Sequence, residues 1–230
     1  MTAASPSPVE WEVHGLRFSG LSWGDPQNPP LLALHGWLDN AASFSLLAPH
    51  LTDCHVVALD LSGHGRSSRR SADAGYQVWE DLPQILGVLD ALGWEQFDLV
   101  GHSRGAVIST LLAASQPQRV RRLVLLDAVS PEPLAEEKFP QQLARHAADK
   151  ARLLHRVTRV FPTVDEAVAA RSGNGLSEQA ARLIVERNLQ PCDGGYTWTT
   201  DPRLRGASSV KLTHGQVQAV LAALTMPTLV

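Results

Sequence analysis

Apolar residues fall into short continuous runs, and helically spaced stretches lie between them. Leu31–Leu34 and Leu123–Leu126 are apolar at every position, and Cys54–Leu59 and Phe97–Val100 are apolar except at His55 and Asp98, the pattern of a strand buried on both faces. Residues 10–23 alternate instead (Trp11, Val13, Leu16, Phe18, Leu21), as a β-hairpin does. Gly24–Pro30 follows as a turn cluster. Helices are predicted over Asn40–Leu51, Val78–Leu92 and Ala106–Ser115. In the second of these, Leu82, Ile85, Leu86 and Leu89 share a face, and Gly93 supplies a stop signal. Buried strands alternating with helices predict an α/β fold: a mostly parallel sheet with helices on both faces.

The pattern changes after Ser130-Pro131-Glu132-Pro133. Helical spacing dominates Glu136–Val157, Val164–Arg171 and Glu178–Asn188. Thr163 followed by Glu166 predicts a capping box for the middle helix. Gly194-Gly195-Tyr196 breaks the helices, and Gln216–Leu224 predicts a helix returning to the core. Met226–Val230 has the composition of the first residues of another buried strand. The organisation expected is a core over 1–130, a helical insert over 131–210 and a return to the core over 211–230.

One motif carries chemistry. Gly101-His102-Ser103-Arg104-Gly105 fits G-x-S-x-G, between the Phe97–Val100 run and the apolar helix after it. That context is what a nucleophilic serine on a tight strand-to-helix turn needs. Small residues on either side let the backbone fold sharply, and the helix N-terminus offers N–H groups to a developing oxyanion. The alternative is a structural turn with a serine that suits it. His35-Gly36-Trp37-Leu38 follows the Leu31–Leu34 run, where the second oxyanion donor is expected. By order the donors are the Trp37 and Arg104 N–H groups; otherwise His35 and Trp37 simply pack the strand end. Two readings of the Arg104 side chain stay open: it reaches a carboxylate on the substrate, or it pairs with a surface acid.

Four stretches resemble the α/β-hydrolase superfamily, and within it the serine hydrolase-like proteins. They are Leu32–Phe44 (LALHGWLDNAASF), Asp60–Ser68 (DLSGHGRSS), Gly101–Gly105 (GHSRG) and Leu123–Asp127 (LVLLD). Gly195–Leu204 is similar to a cap segment of the same group. The resemblance implies an eight-stranded core with a helical cap inserted after the sixth strand. It implies Ser103 as nucleophile, with Gly101, His102 and Gly105 forming the elbow, and a structural turn at Asp60 and Gly63-His64-Gly65. Serine at the elbow separates the chain from epoxide hydrolases and haloalkane dehalogenases, which carry aspartate there. Asp127 is a candidate acid, because some members place the acid after this strand; its alternative is a turn cap. The catalytic histidine is implied on a loop after the eighth strand, past Val230. None of the nine histidines matches that motif. The chain is therefore expected to lack the C-terminal part, and to be a poor catalyst as written. A non-catalytic ligand-binding or regulatory member, or an inactive fragment, of the fold is the second hypothesis.

Composition changes this picture little. The 230 residues are 44% hydrophobic with a formal net charge of −3, which gives no reason to expect nucleic acid or a membrane surface as partner. Basic residues are dense between Lys138 and Lys211, but acids share the interval, so a solvated helical surface is expected there. Trp79, Trp94 and Trp198 are expected to pack the core or cap. Cys54 and Cys192 lie far apart without metal-ligand spacing, and the first residues carry no leader pattern. A cytoplasmic protein acting on a small-molecule substrate, with no metal and no cofactor, is the expectation. Its oligomeric state stays open.

Overall fold

The computed structural model describes residues 5–172 and 175–230. The chain opens with the hairpin β1 (Ser7–Val13) and β2 (Leu16–Trp23), turning at His14-Gly15, where both residues have positive φ. Next come β3 (Pro30–Leu34), β4 (His55–Leu59), α1 (Asp81–Ala91), β5 (Phe97–His102), α2 (Arg104–Ser115) and β6 (Val120–Leu126). After a long excursion, α6 (His214–Ala222) and β10 (Thr228–Leu229) return to the core. The seven strands lie in the order β1-β2-β4-β3-β5-β6-β10. β1 and β2 pair antiparallel, β2 meets β4 antiparallel, and every later pairing is parallel. The resemblance implies eight strands; the described residues supply these seven.

The continuous apolar runs explain both faces. Leu32, Leu34, Val57, Leu59 and Leu99 point into one core with Ile85 and Leu89 of α1 and Ile108 and Leu112 of α2. Ala33, Val56, Ala58 and Val100 point the other way, against Ala41, Phe44 and Ala48. Alternate side chains of a strand face opposite sides, so a run apolar at every position fills two cores.

Asn40–Leu51 does not form the helix expected there. It folds into two 3-10 turns, Ala41–Phe44 and Ala48–His50. The Asn40 side chain caps the first by accepting from the Ala42 N–H at 2.9 Å. Pro49, which has no N–H to donate, sits inside the second.

The excursion between β6 and α6 holds α3 (Phe139–Leu153), α4 (Val164–Ser172) and α5 (Glu178–Asn188). Thr163 Oγ1 accepts from the Glu166 N–H at 3.2 Å at the start of α4. The helical expectation missed a small antiparallel sheet of β7 (Val160–Phe161), β8 (Leu189–Cys192) and β9 (Gly195–Trp198), with β9 in the middle. Phe161 and Trp198 meet edge to face across it, with ring centres 5.0 Å apart.

The insert is bonded to the core at many points. The Asn40 side chain donates to Ile184 O at 2.8 Å, the Gly65 N–H to Asn188 Oδ1 at 3.1 Å, and the Tyr76 hydroxyl to Asp201 Oδ2 at 2.8 Å. Burial alone raises the Asp201 carboxyl, but hydrogen bonds from Arg203 and Tyr76 bring it below the ordinary carboxylate value. No described helix is long and apolar enough to cross a membrane.

Candidate active site

Ser103 stands between β5 and α2 with φ 50° and ψ −113°. A non-glycine residue in that region is strained by about 1–3 kcal/mol and persists only where its surroundings fix it. Here they do. The Ser103 N–H donates to Leu126 O at 2.8 Å, and Ser103 O accepts from the Ala106 and Val107 N–H groups at 3.0 and 3.1 Å. The flanking glycines are required by space. A Cβ on Gly101 would lie 2.5 Å from both Gly105 O and Ser109 Oγ, and one on Gly105 would run into the backbone of Leu34 and His35. The sharp turn is thus wedged against the end of β3.

The Arg104 N–H opens α2 and has no intrahelical acceptor, by the geometry of a helix start. The Trp37 N–H also makes no hydrogen bond among the described residues. The loop that carries it is held from behind. His35 is buried; its Nε2 accepts from the Leu61 N–H at 3.0 Å and its Nδ1 donates to Gly36 O at 2.8 Å. The His64 ring packs against it edge to face at 4.9 Å. Burial holds both imidazoles below the ordinary histidine value, His64 well below it, with each other's proximity and the Arg104 charge adding to the effect on His64. These two histidines are neutral buttresses. His102 fills the space beside Gly36, where a Cβ would lie 2.9 Å from its Nδ1.

Ser103, Arg104, Trp37, Trp79, Val107 and Ala128 border an open cavity of about 730 Å³, with Ser208, Val210, Lys211 and Leu212 along its other wall. Trp37 is half exposed and donates its indole N–H to Leu204 O at 2.9 Å. Trp79 therefore faces this cavity, whereas Trp94 lies in the core. Asp127 sits exposed at the end of β6 with φ 70°. His102 and Leu126 are partners in the strand pairing, so Asp127 lies beside the elbow, although its own side chain does not line the cavity.

The Arg104 side chain turns away from both sequence-based readings in part. It pairs with an acid, but that acid is buried: Asp81 accepts from Arg104 at 2.8 Å and from Arg70 at 2.7 Å. Arg70 also bonds Ser62 Oγ and Glu80. No sequence signal pointed to this Arg70–Asp81–Arg104 chain, because its members are scattered across three loops and helix starts. Asp60 is likewise structural. Its fully buried carboxylate accepts from the Ala41 and Arg66 N–H groups at 2.7 and 2.9 Å and pairs with Arg187 of α5 at 2.9 Å. Asp39, next to the Trp37 loop, is held by Arg171 of α4.

A strained serine at a strand-to-helix turn on this sheet order defines the α/β-hydrolase fold. The sequence matches the alpha/beta hydrolase fold family over residues 29–184, and the chain belongs to that family. It is 33% identical to human serine hydrolase-like protein 2 over 82% of its own length and 62% of that protein's, so it spans less than two thirds of this relative. Among solved structures it is similar to a hypothetical protein from Pseudomonas aeruginosa PAO1, with a TM-score of 0.93 and 39% identity over 96% of this chain and 79% of that one. A thioesterase domain from the curacin biosynthetic pathway gives 0.84 and 29% over 98% and 81%.

Proposed function

We propose that the whole protein is a serine hydrolase that cleaves ester or similar acyl bonds through an acyl-Ser103 intermediate. The observation that carries this reading is the strained Ser103 at the start of α2, opening onto a cavity of about 730 Å³. In the first step Ser103 Oγ attacks the acyl carbon while a histidine takes its proton. The Trp37 and Arg104 N–H groups hold the oxyanion, and collapse expels the leaving group, which receives that proton. Water then attacks the acyl-enzyme by the same route and frees Ser103. The resemblance puts the histidine on a later segment of the full fold, with Asp127 as a candidate to orient it. Residues 131–210 form the lid over the acyl pocket, and the partner is a small-molecule substrate.

The test is a fluorophosphonate probe on the full-length protein, followed by peptide mass spectrometry. The expected result is stoichiometric labelling of Ser103. Hydrolysis of p-nitrophenyl esters should fall at least about 10³-fold in Ser103→Ala. Labelling of another serine with Ser103 unmodified overturns the assignment. No labelling in a folded protein favours a non-catalytic ligand-binding member of the fold.

A further inference from the structure

The stretch from Lys138 to Lys211 reads in sequence as a solvated surface of mixed charge. Folding changes that. Arg171 and the exposed Arg156, Arg159 and Arg205 line a second, open cavity of about 610 Å³, between the insert and Leu38 of the Trp37 loop. Much of the remaining wall is apolar: Leu38, Val157 and Trp198 keep accessible surface there, whereas Phe161, Ile184 and Val185 are buried. Asp201 is the one acid in that wall, and it is occupied by the Tyr76 hydroxyl at 2.8 Å and by Arg203 at 2.7 Å. Arg171 is occupied by Asp39.

Arg156, Arg159 and Arg205 make no salt bridge among the described residues. Two of them lie over aromatic faces: Arg159 over Phe161 at 4.6 Å and Arg205 over Trp37 at 5.5 Å. Arg205 keeps an exposed side chain, and its partial burial, followed by the nearby charges of Arg156 and Arg171, lowers its pKa. Like charges gathered on an apolar wall repel unless a counter-charge joins them, and planar guanidinium groups match the oxygens of carboxylate and phosphate.

We propose that this cavity binds an amphipathic oxyanion, its carboxylate or phosphate head held by Arg156, Arg159 and Arg205 and its apolar body lying against Leu38, Val157 and Trp198. The site is separate from the Ser103 cavity. Trp37 borders that one and Leu38 borders this one, so the same loop divides them. Binding here does not depend on acyl-serine chemistry.

The experiment titrates octyl phosphate, octanoate, inorganic phosphate and 1-octanol into the full-length protein by calorimetry. Octyl phosphate or octanoate should bind, and more tightly at low salt. Octanol and inorganic phosphate should each bind at least about tenfold more weakly than the better amphiphile. Arg159→Gln and Arg205→Gln should each weaken binding about tenfold, with thermal unfolding confirming that both variants fold. Arg182→Gln, whose guanidinium is held by Asp165 and Glu178 on the outside, should bind as the parent does. Ser103→Ala should also bind as the parent does, which separates this site from the proposed chemistry. Octanol binding as well as octyl phosphate, or both arginine variants binding unchanged, overturns the anion site. Inorganic phosphate binding as tightly as octyl phosphate overturns the amphipathic ligand.

Discussion

Ser103 and its glycines show how much a single Cβ decides. Gly105 needs no unusual φ; what it needs is room, because backbone oxygens of Leu34 and His35 occupy the place a methyl would take. Gly105→Ala should therefore destabilise the protein by about 1–3 kcal/mol or more, since backbone cannot step aside as a side chain can. Gly215, at the start of α6, meets nothing within 4 Å. Gly215→Ala should leave stability unchanged or raise it by about 0.4–1 kcal/mol. Urea midpoints of the two variants check this contrast, and equal effects would show that the elbow glycine is not sterically required. The tight turn at Ser103 was legible in the sequence because such a turn demands small residues at fixed spacing beside a strand and a helix. The partners of Arg104 were not, because Asp81 and Arg70 lie at unrelated spacings and meet only in three dimensions.

Elements buried on both faces were read well, and those that depend on neighbours were not. β3, β4, β5 and β6 announce themselves by short, mostly apolar runs, broken by His55, Asp98 and the flanking Arg121 and Arg122, and α5 falls over Glu178–Asn188 as its spacing predicts. The stretch 40–51 has helical spacing but adopts 3-10 turns, held by the Asn40 cap and interrupted by Pro49. β8 and β9 are short and half polar, so no periodicity marks them. Their signal was the Asp193-Gly194 pair, a hairpin turn dipeptide, with φ 83° at Gly194. Arg187 gives α5 its hold on the core, reaching Asp60, Ser19 Oγ and Gly20 O. Arg187→Met would leave the Asp60 carboxylate buried without its cation. It should lower stability by about 3–5 kcal/mol in urea unfolding. The double variant Asp60→Asn with Arg187→Met should lose less than the two single losses added together. Strict additivity would mean that the pair does not couple the insert to the sheet.

For the molecule as a whole, the two buried imidazoles behind the Trp37 loop set an acid limit. The pKa values of His35 and His64 are lowered by folding, so the unfolded chain takes up protons first as pH falls. The stability they contribute is complete above the unfolded value of about 6.5 and declines as pH drops from there toward the folded values. Unfolding midpoints measured between pH 8 and 5 should fall on the acid side, and the fall should be shallower in His64→Gln. An identical slope in that variant would assign the acid sensitivity elsewhere.

The Asp60–Arg187 pair also orders events in time. Its two members are 127 residues apart, so at ribosomal rates of about 5–20 residues per second the carboxylate is made roughly 6–25 s before its cation. Throughout that interval the residue just after β4 carries a charge without its cation. Until α5 has been made, only the Ala41 and Arg66 N–H groups and water are there to meet the Asp60 charge.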